Sequence, residues 1–173
     1  MSSFQIGRSF DCGVETESEY LDSLYKQFRS MFVDCKKYWL DTNKVISFRR
    51  EKEIDGRHAS FWHAISGGSG AECDRELDLN RCRRLGWIGD LLDVFKHHYP
   101  HEDNFCWWKS PDPRWHNRRF LISTSTFDYI VVFEEREDYV LFITAFYVER
   151  RRRRQKLRDE HDQFWNGQEP TTE

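Results

Sequence analysis

The stretch Tyr139–Val148, YVLFITAFYV, runs almost directly into five consecutive arginines, Arg150–Arg154, with Lys156 close behind. Its β-branched and aromatic residues predict a strand. The segment that follows, Arg150–Trp165, places Leu157, His161, Phe164 and Trp165 at helical spacing and predicts a closing helix with most of its arginines outward. The junction sets Thr144 and Tyr147 beside a concentration of guanidinium groups in a chain whose formal net charge is only −3. Cations gathered at one place in a mildly acidic protein predict an anionic partner there.

Working outward, Arg119–Thr124 and Tyr129–Glu134 also read as strands, and the short links between the three runs predict an antiparallel meander. Lys44–Phe48 and Ser60–Ile65 read as two more short strands, the first trailing into the charged turn Arg49–Gly56 (RREKEIDG). Thr16–Leu40 carries Tyr20, Leu24, Phe28, Met31 and Phe32 at helical spacing, and Thr16 with Glu19 forms a capping box at its start. Leu85, Ile88, Leu92, Phe95 and Tyr99 recur at intervals of three and four and predict a second helix over Arg81–Tyr99. The expected fold class is therefore α+β: an antiparallel sheet of about four to six strands, with an N-terminal, a middle and a C-terminal basic helix packed on it. One domain is expected over residues 16–165, with a disordered segment at 1–15 and a flexible tail at 166–173. Ser66–Gly70 (SGGSG) is the stretch of highest expected flexibility.

Composition narrows the class. The 173 residues suffice for one domain with a real core, and 16% aromatic residues suit filling it. A charged fraction of 33%, with no apolar run near the ~20 residues of a bilayer span, argues against a membrane protein. The start MSSFQIGRSFDCG lacks the pattern of a signal peptide, so the expected location is cytoplasmic. Cys12, Cys35, Cys73, Cys82 and Cys106 are odd in number and contain no C-x-x-C pair, so neither a disulfide framework nor a zinc site is expected. His97, His98 and His101, and the pair His58 and His63, stand outside any metal-binding motif.

Among chemistry-bearing residues, Arg81 and Arg84 extend the apolar stripe of the second helix at its N-terminal end. A guanidinium sheltered there either binds an anion or pairs with an acidic side chain at the edge of the core. His63, within Phe61–Trp62–His63, is either a satisfied core histidine or a general acid or base, its ordinary pKa of ~6.5 suiting the latter. Strand alternation puts Thr144 and Tyr147 on opposite faces, so both serve one site only if the strand bulges or Tyr147 lies at its rim. The cluster Arg114–Arg119 (RWHNRR), including Arg114, Arg118 and Arg119, interleaves cations with aromatic rings and suits phosphate contact with base stacking. Arg150, Arg151 and Arg154 are candidates for further RNA contacts. A pI of about 6.2 argues for a focused anion site rather than a broad nucleic-acid surface.

Four segments in order, Gly56–Ser66 (GRHASFWHAIS), Arg81–Ile88 (RCRRLGWI), Leu141–Val148 (LFITAFYV) and the basic helix with Lys156–Leu157, together resemble the phage-associated branch of the barnase/EndoU/colicin/RelE-like nucleases. The resemblance covers roughly residues 44–165 and leaves the N-terminal helix outside. It implies a metal-independent endoribonuclease of the toxin type, without a cofactor, acting on tRNA or mRNA and restrained by an inhibitor protein. It further implies a catalytic set of His63, Arg81, Arg84, Thr144, Tyr147 and Lys156. A non-catalytic RNA-binding or protein-interaction module on the same scaffold, such as a phage regulator, is the competing expectation.

Overall fold

In a computed structural model, residues 16–50, 53–67, 76–116 and 118–167 are described. Three of the expected strands form the heart of a five-stranded sheet. Its strands are β1 (Val45–Ser47), β4 (Phe105–Lys109), β5 (Arg119–Thr124), β6 (Tyr129–Glu135) and β7 (Tyr139–Tyr147), in the order β1-β7-β6-β5-β4. Strands β4 to β7 run as an antiparallel meander, whereas β1 lies parallel to β7, so the sheet is mixed. The fold is α+β, as the residue pattern implies.

Two hydrophobic layers fill the two sheet faces. The larger one packs Phe28 of α1 (Glu17–Phe32), Phe61 of α2 (Ala59–Ile65), and Ile88 and Phe95 of α4 (Trp87–His98) against Phe133 and Phe142. The smaller one joins Trp108, Ile130 and Val148 to Leu157 of α5 (Arg151–Asn166). Helix α1 begins at the expected capping box, with Thr16 Oγ1 and Glu19 exchanging bonds. It stops at Phe32 rather than Leu40, where Arg29 turns to Asp34 at 2.8 Å and Trp39 leaves the helix to be buried beside Phe95, Phe120 and Phe133.

Three expectations need correction. The run 60–65 is helical, not extended: its buried residues Ser60, Phe61, Ala64 and Ile65 recur at a three- and four-residue spacing that one helix face satisfies. The charged turn ahead of it folds on itself instead: β2 (Glu53–Ile54) and β3 (Arg57–His58) pair across Asp55 and Gly56, which both take left-handed backbone at φ 50° and 71°. The middle helix is two helices, α3 (Leu79–Arg83) and α4, broken at Arg84–Gly86. The chain leaves helical geometry at Arg84, φ −111° and ψ 11°, and runs close to α1 at Gly86, where a Cβ would stand 2.5 Å from Gln27 Nε2. Among the described residues no helix is long and apolar enough to cross a membrane. The segments 1–15 and 168–173, and most of the Ser66–Gly70 loop, lie outside the described residues.

Candidate functional site

The β7–α5 junction is built by a bulge. Val132 pairs with Thr144 but Phe133 pairs with Phe142, so Ile143 is the extra residue. Before the bulge Val140 and Phe142 face the larger core; after it Ala145 and Tyr147 do so. Phe146 and Val148 point to the α5 side. Because the bulge precedes Thr144, it leaves Thr144 and Tyr147 on opposite faces. Thr144 shares the α5 face with its cross-strand partner Val132, and Tyr147 turns toward α3.

Arg84 meets it there. Helix α3 is capped by Asp78, whose Oδ1 accepts from the backbone of Asn80 (2.9 Å) and Arg81 (3.2 Å). One turn later Arg84 leaves the helix as its C-terminal cap, so it does not share the helix face of Arg81 as an unbroken helix would dictate. Its guanidinium carbon lies 4.0 Å from the centre of the Tyr147 ring and 5.1 Å from that of Trp87. Arg84 Nη1 donates to Asn80 O and Oδ1, both at 3.1 Å, while Nε is buried without a hydrogen-bond partner. No carboxylate pairs with Arg84 among the described residues. The Tyr129 hydroxyl, deeply buried, donates to Arg84 O at 3.0 Å. Burial raises its pKa despite the opposing fields of Arg81 and Arg84, so it stays a neutral strut.

A second guanidinium approaches from α5. Arg154 Nε donates to Val148 O at 2.6 Å, and its Nη2 lies 3.5 Å from the Tyr147 hydroxyl. An open cleft of about 540 Å³ lies beside this phenol, lined by Asp78, Asn80, Tyr147, Glu149, Arg150 and Arg153, among others. Asn80 Nδ2 holds Glu149 at 3.0 Å, which fixes one acidic group of the rim. Arg81 Nη1 donates to the carbonyl of His63 at 3.2 Å, so α2 and α3 are stitched together behind the cleft.

The structure thus gathers Arg81, Arg84, Tyr147, Arg150 and Arg154, with the His63 backbone tied in behind them. Lys156 is exposed and lies 4.0 Å from Glu160 on the outside of α5, and Arg151 is exposed. Arg114, Arg118 and Arg119 lie at the far end of the sheet. Arg119 pairs with Glu134 on β6, five residues from Tyr129, the partner of Tyr147, or roughly 17 Å along the strands. Spacing along the chain gave no sign of Asn80 or Glu149, since each matters only through a partner 69 residues away. Compared with protein-family models, curated proteins and solved structures, the chain matches none.

Proposed function

We propose that the chain is an endoribonuclease that uses the 2′-hydroxyl of its substrate as nucleophile, with the cleft between α3, β7 and α5 as its active site. One observation carries the reading: Arg84, half-buried against the Tyr147 ring, has no carboxylate partner among the described residues, while Arg154 reaches the same phenol. A sheltered, uncompensated guanidinium favours an anionic ligand, and its planar fork suits a phosphate. The resemblance of the four sequence segments to barnase/EndoU/colicin/RelE-like nucleases supports the same choice.

In this reading a phosphodiester seats between Arg84, Arg154 and Arg150. The 2′-oxygen attacks phosphorus as a base takes its proton, and an acid protonates the departing 5′-oxygen. The products are a 2′,3′-cyclic phosphate and a 5′-hydroxyl end, and the arginines stabilise the extra charge of the phosphorane. Tyr147 and His63 are the candidate acid–base pair. Arg81 braces α2 against α3, and Lys156 adds only a distant field. Thr144, on the other face of the sheet, orients no substrate group. Cellular RNA as substrate places the protein in the cytoplasm, and a toxin of this kind requires an inhibitor protein that covers the arginines.

A second reading is favoured by the bond from Arg81 to the His63 carbonyl, which ties α2 to α3 whether or not the imidazole takes part in chemistry. An RNA-binding module would keep the arginines and need no acid–base pair. Incubation of the protein with total RNA in EDTA, beside His63→Ala, Tyr147→Phe and Arg84→Gln, separates the two. Cleavage with cyclic-phosphate ends that the variants lose supports the enzyme. RNA retention without cleavage supports the module, and a protein that neither cleaves nor retains RNA sinks both. A melting temperature taken in the same buffer distinguishes lost chemistry from lost structure.

A further inference from the structure

Helix α5 fully buries a single residue, Leu157, and packs Phe164 and Trp165 beside Trp107, so polar pins supplement this apolar contact in holding it to the sheet. Trp165 Nε1 donates to Trp107 O at 2.9 Å near its C-terminal end. One turn earlier His161 meets the beginning of β4. Its Nε2 lies 2.9 and 3.0 Å from the two oxygens of Glu102, and its Nδ1 lies 2.9 Å from Asp162. Cys106 completes the group: one ligand atom each from Glu102, Cys106 and His161 all lie within 4.8 Å of one another. Asn104, with φ 64°, turns the chain between Glu102 and Cys106.

We propose that Glu102, Cys106 and His161 bind a zinc ion that clamps α5 to β4. Zinc with ligand bonds of about 2.0–2.3 Å takes thiolate, imidazole and carboxylate together, a set that magnesium and calcium do not favour. The ligands are braced from behind. Asp162 accepts from Nδ1 of His161, which leaves Nε2 as the ring nitrogen that would ligate the metal once its proton is lost, and Glu102 Oε1 accepts from Trp107 N at 2.6 Å. The charges also favour a divalent cation. Glu102, Asp162 and a Cys106 thiolate give three negative charges, and Arg158, whose guanidinium rests 4.8 Å over Phe127, supplies one positive charge toward the thiol.

Without metal, burial first and the Glu102 charge second push the Cys106 thiol up to about 12. Burial pulls His161 down, but the bonds to Glu102 and Asp162 overcome it and raise its pKa. Binding therefore replaces the His161–Glu102 hydrogen bond by coordination and releases the thiol proton to solvent, with a second proton from any imidazolium. A water completes the tetrahedron. The site stands apart from the Tyr147 cleft, and no step of RNA cleavage runs through it.

The test is to strip the untagged full chain with EDTA and titrate it with Co²⁺. One ion per chain is expected, with a thiolate-to-cobalt charge-transfer band in the near ultraviolet that Zn²⁺ bleaches. Cys106→Ser loses the band, while Glu102→Gln and His161→Gln weaken it, each variant being checked for fold by circular dichroism. Zinc raises the melting temperature of the wild type and not of Cys106→Ser. A folded wild type without the band overturns the proposal. So does a band undiminished in Cys106→Ser, which would assign the thiolate to Cys12, Cys35, Cys73 or Cys82.

Discussion

The two ends of the sheet carry the same local device with opposite electrostatics. At one end Arg119 stacks on Trp115, with its guanidinium carbon 3.2 Å from the ring centre, and at the other Arg84 stacks on Tyr147 at 4.0 Å. Arg119 shares the buried Glu134 with Arg136, at 3.0 and 2.7 Å, and nearby Arg114 forks onto Asp112. Arg84 and Arg154 share only a phenol and backbone or amide oxygens. Stacking on an aromatic ring is therefore common to both ends, and the presence of a carboxylate separates a structural arginine from a ligand-seeking one. In sequence, RWHNRR and the Arg150–Arg154 run look alike; in space Arg114 and Arg119 are paired with carboxylates, whereas among the described residues Arg84 and Arg154 are not.

Glu134→Gln is the harshest way to break the compensated end. The side chain is 4% exposed and holds two guanidiniums, so its loss leaves both without a counter-charge. Removing one partner of a buried pair costs about 3–5 kcal/mol, which urea denaturation reads directly. A loss below about 1 kcal/mol would mean that this end is no more compensated than the other. Arg84→Gln is the reciprocal change. It sacrifices stacking worth about 1 kcal/mol of stability, yet RNA cleavage falls ~10²–10³-fold if this guanidinium stabilises the phosphorane. A variant that loses stability but keeps its rate would make Arg84 a second Arg119.

How far the sequence discloses this contrast follows from the range of each interaction. The strands around Tyr129–Glu135 and Tyr139–Tyr147, and the capping box at Thr16, rest on neighbours in the chain and are legible from spacing. Strand β4, FCWWK, was not legible: Phe105 and Trp107 enter the larger core and Trp108 the smaller, so both faces are apolar and alternation disappears. The helix at 59–65 reads as a strand in sequence because seven residues are too few to separate its period from that of a strand. At the site, Arg84 and Tyr147 were legible as residue types. The bulge at Ile143 and the break after Arg83, which together make them touch, depend on pairing register and tertiary packing rather than on local spacing.

Salt dependence sharpens the comparison. If the cleft end holds RNA, each lost phosphate contact reduces the slope of log affinity against log salt by roughly 0.7 for a single strand. Arg150→Gln with Arg153→Gln is then expected to flatten the slope in a filter-binding assay by about twice that amount. Arg114→Gln with Arg119→Gln leaves it unchanged, because these two arginines are already paired with Asp112 and Glu134. A flattened slope in the second pair would support the RWHNRR segment as an RNA surface.

The smallest effect lies in Asp112 itself. Its side-chain bond to Arg114 comes first among the causes, ahead of the backbone bond to the same residue, and holds the carboxyl at about 2, below the usual carboxylate range. A carboxyl depressed in the folded state contributes stability that is present above its ordinary pKa and is lost as pH falls through about 2. The pair is exposed, so the thermodynamic effect is small, but the titration is readable by carbon-detected NMR. Arg114→Gln is expected to move the Asp112 titration upward toward the ordinary value of ~3.9. An unmoved titration would mean that Arg114 leaves Asp112 for solvent, and its charge would be as available to a phosphate as those at the cleft.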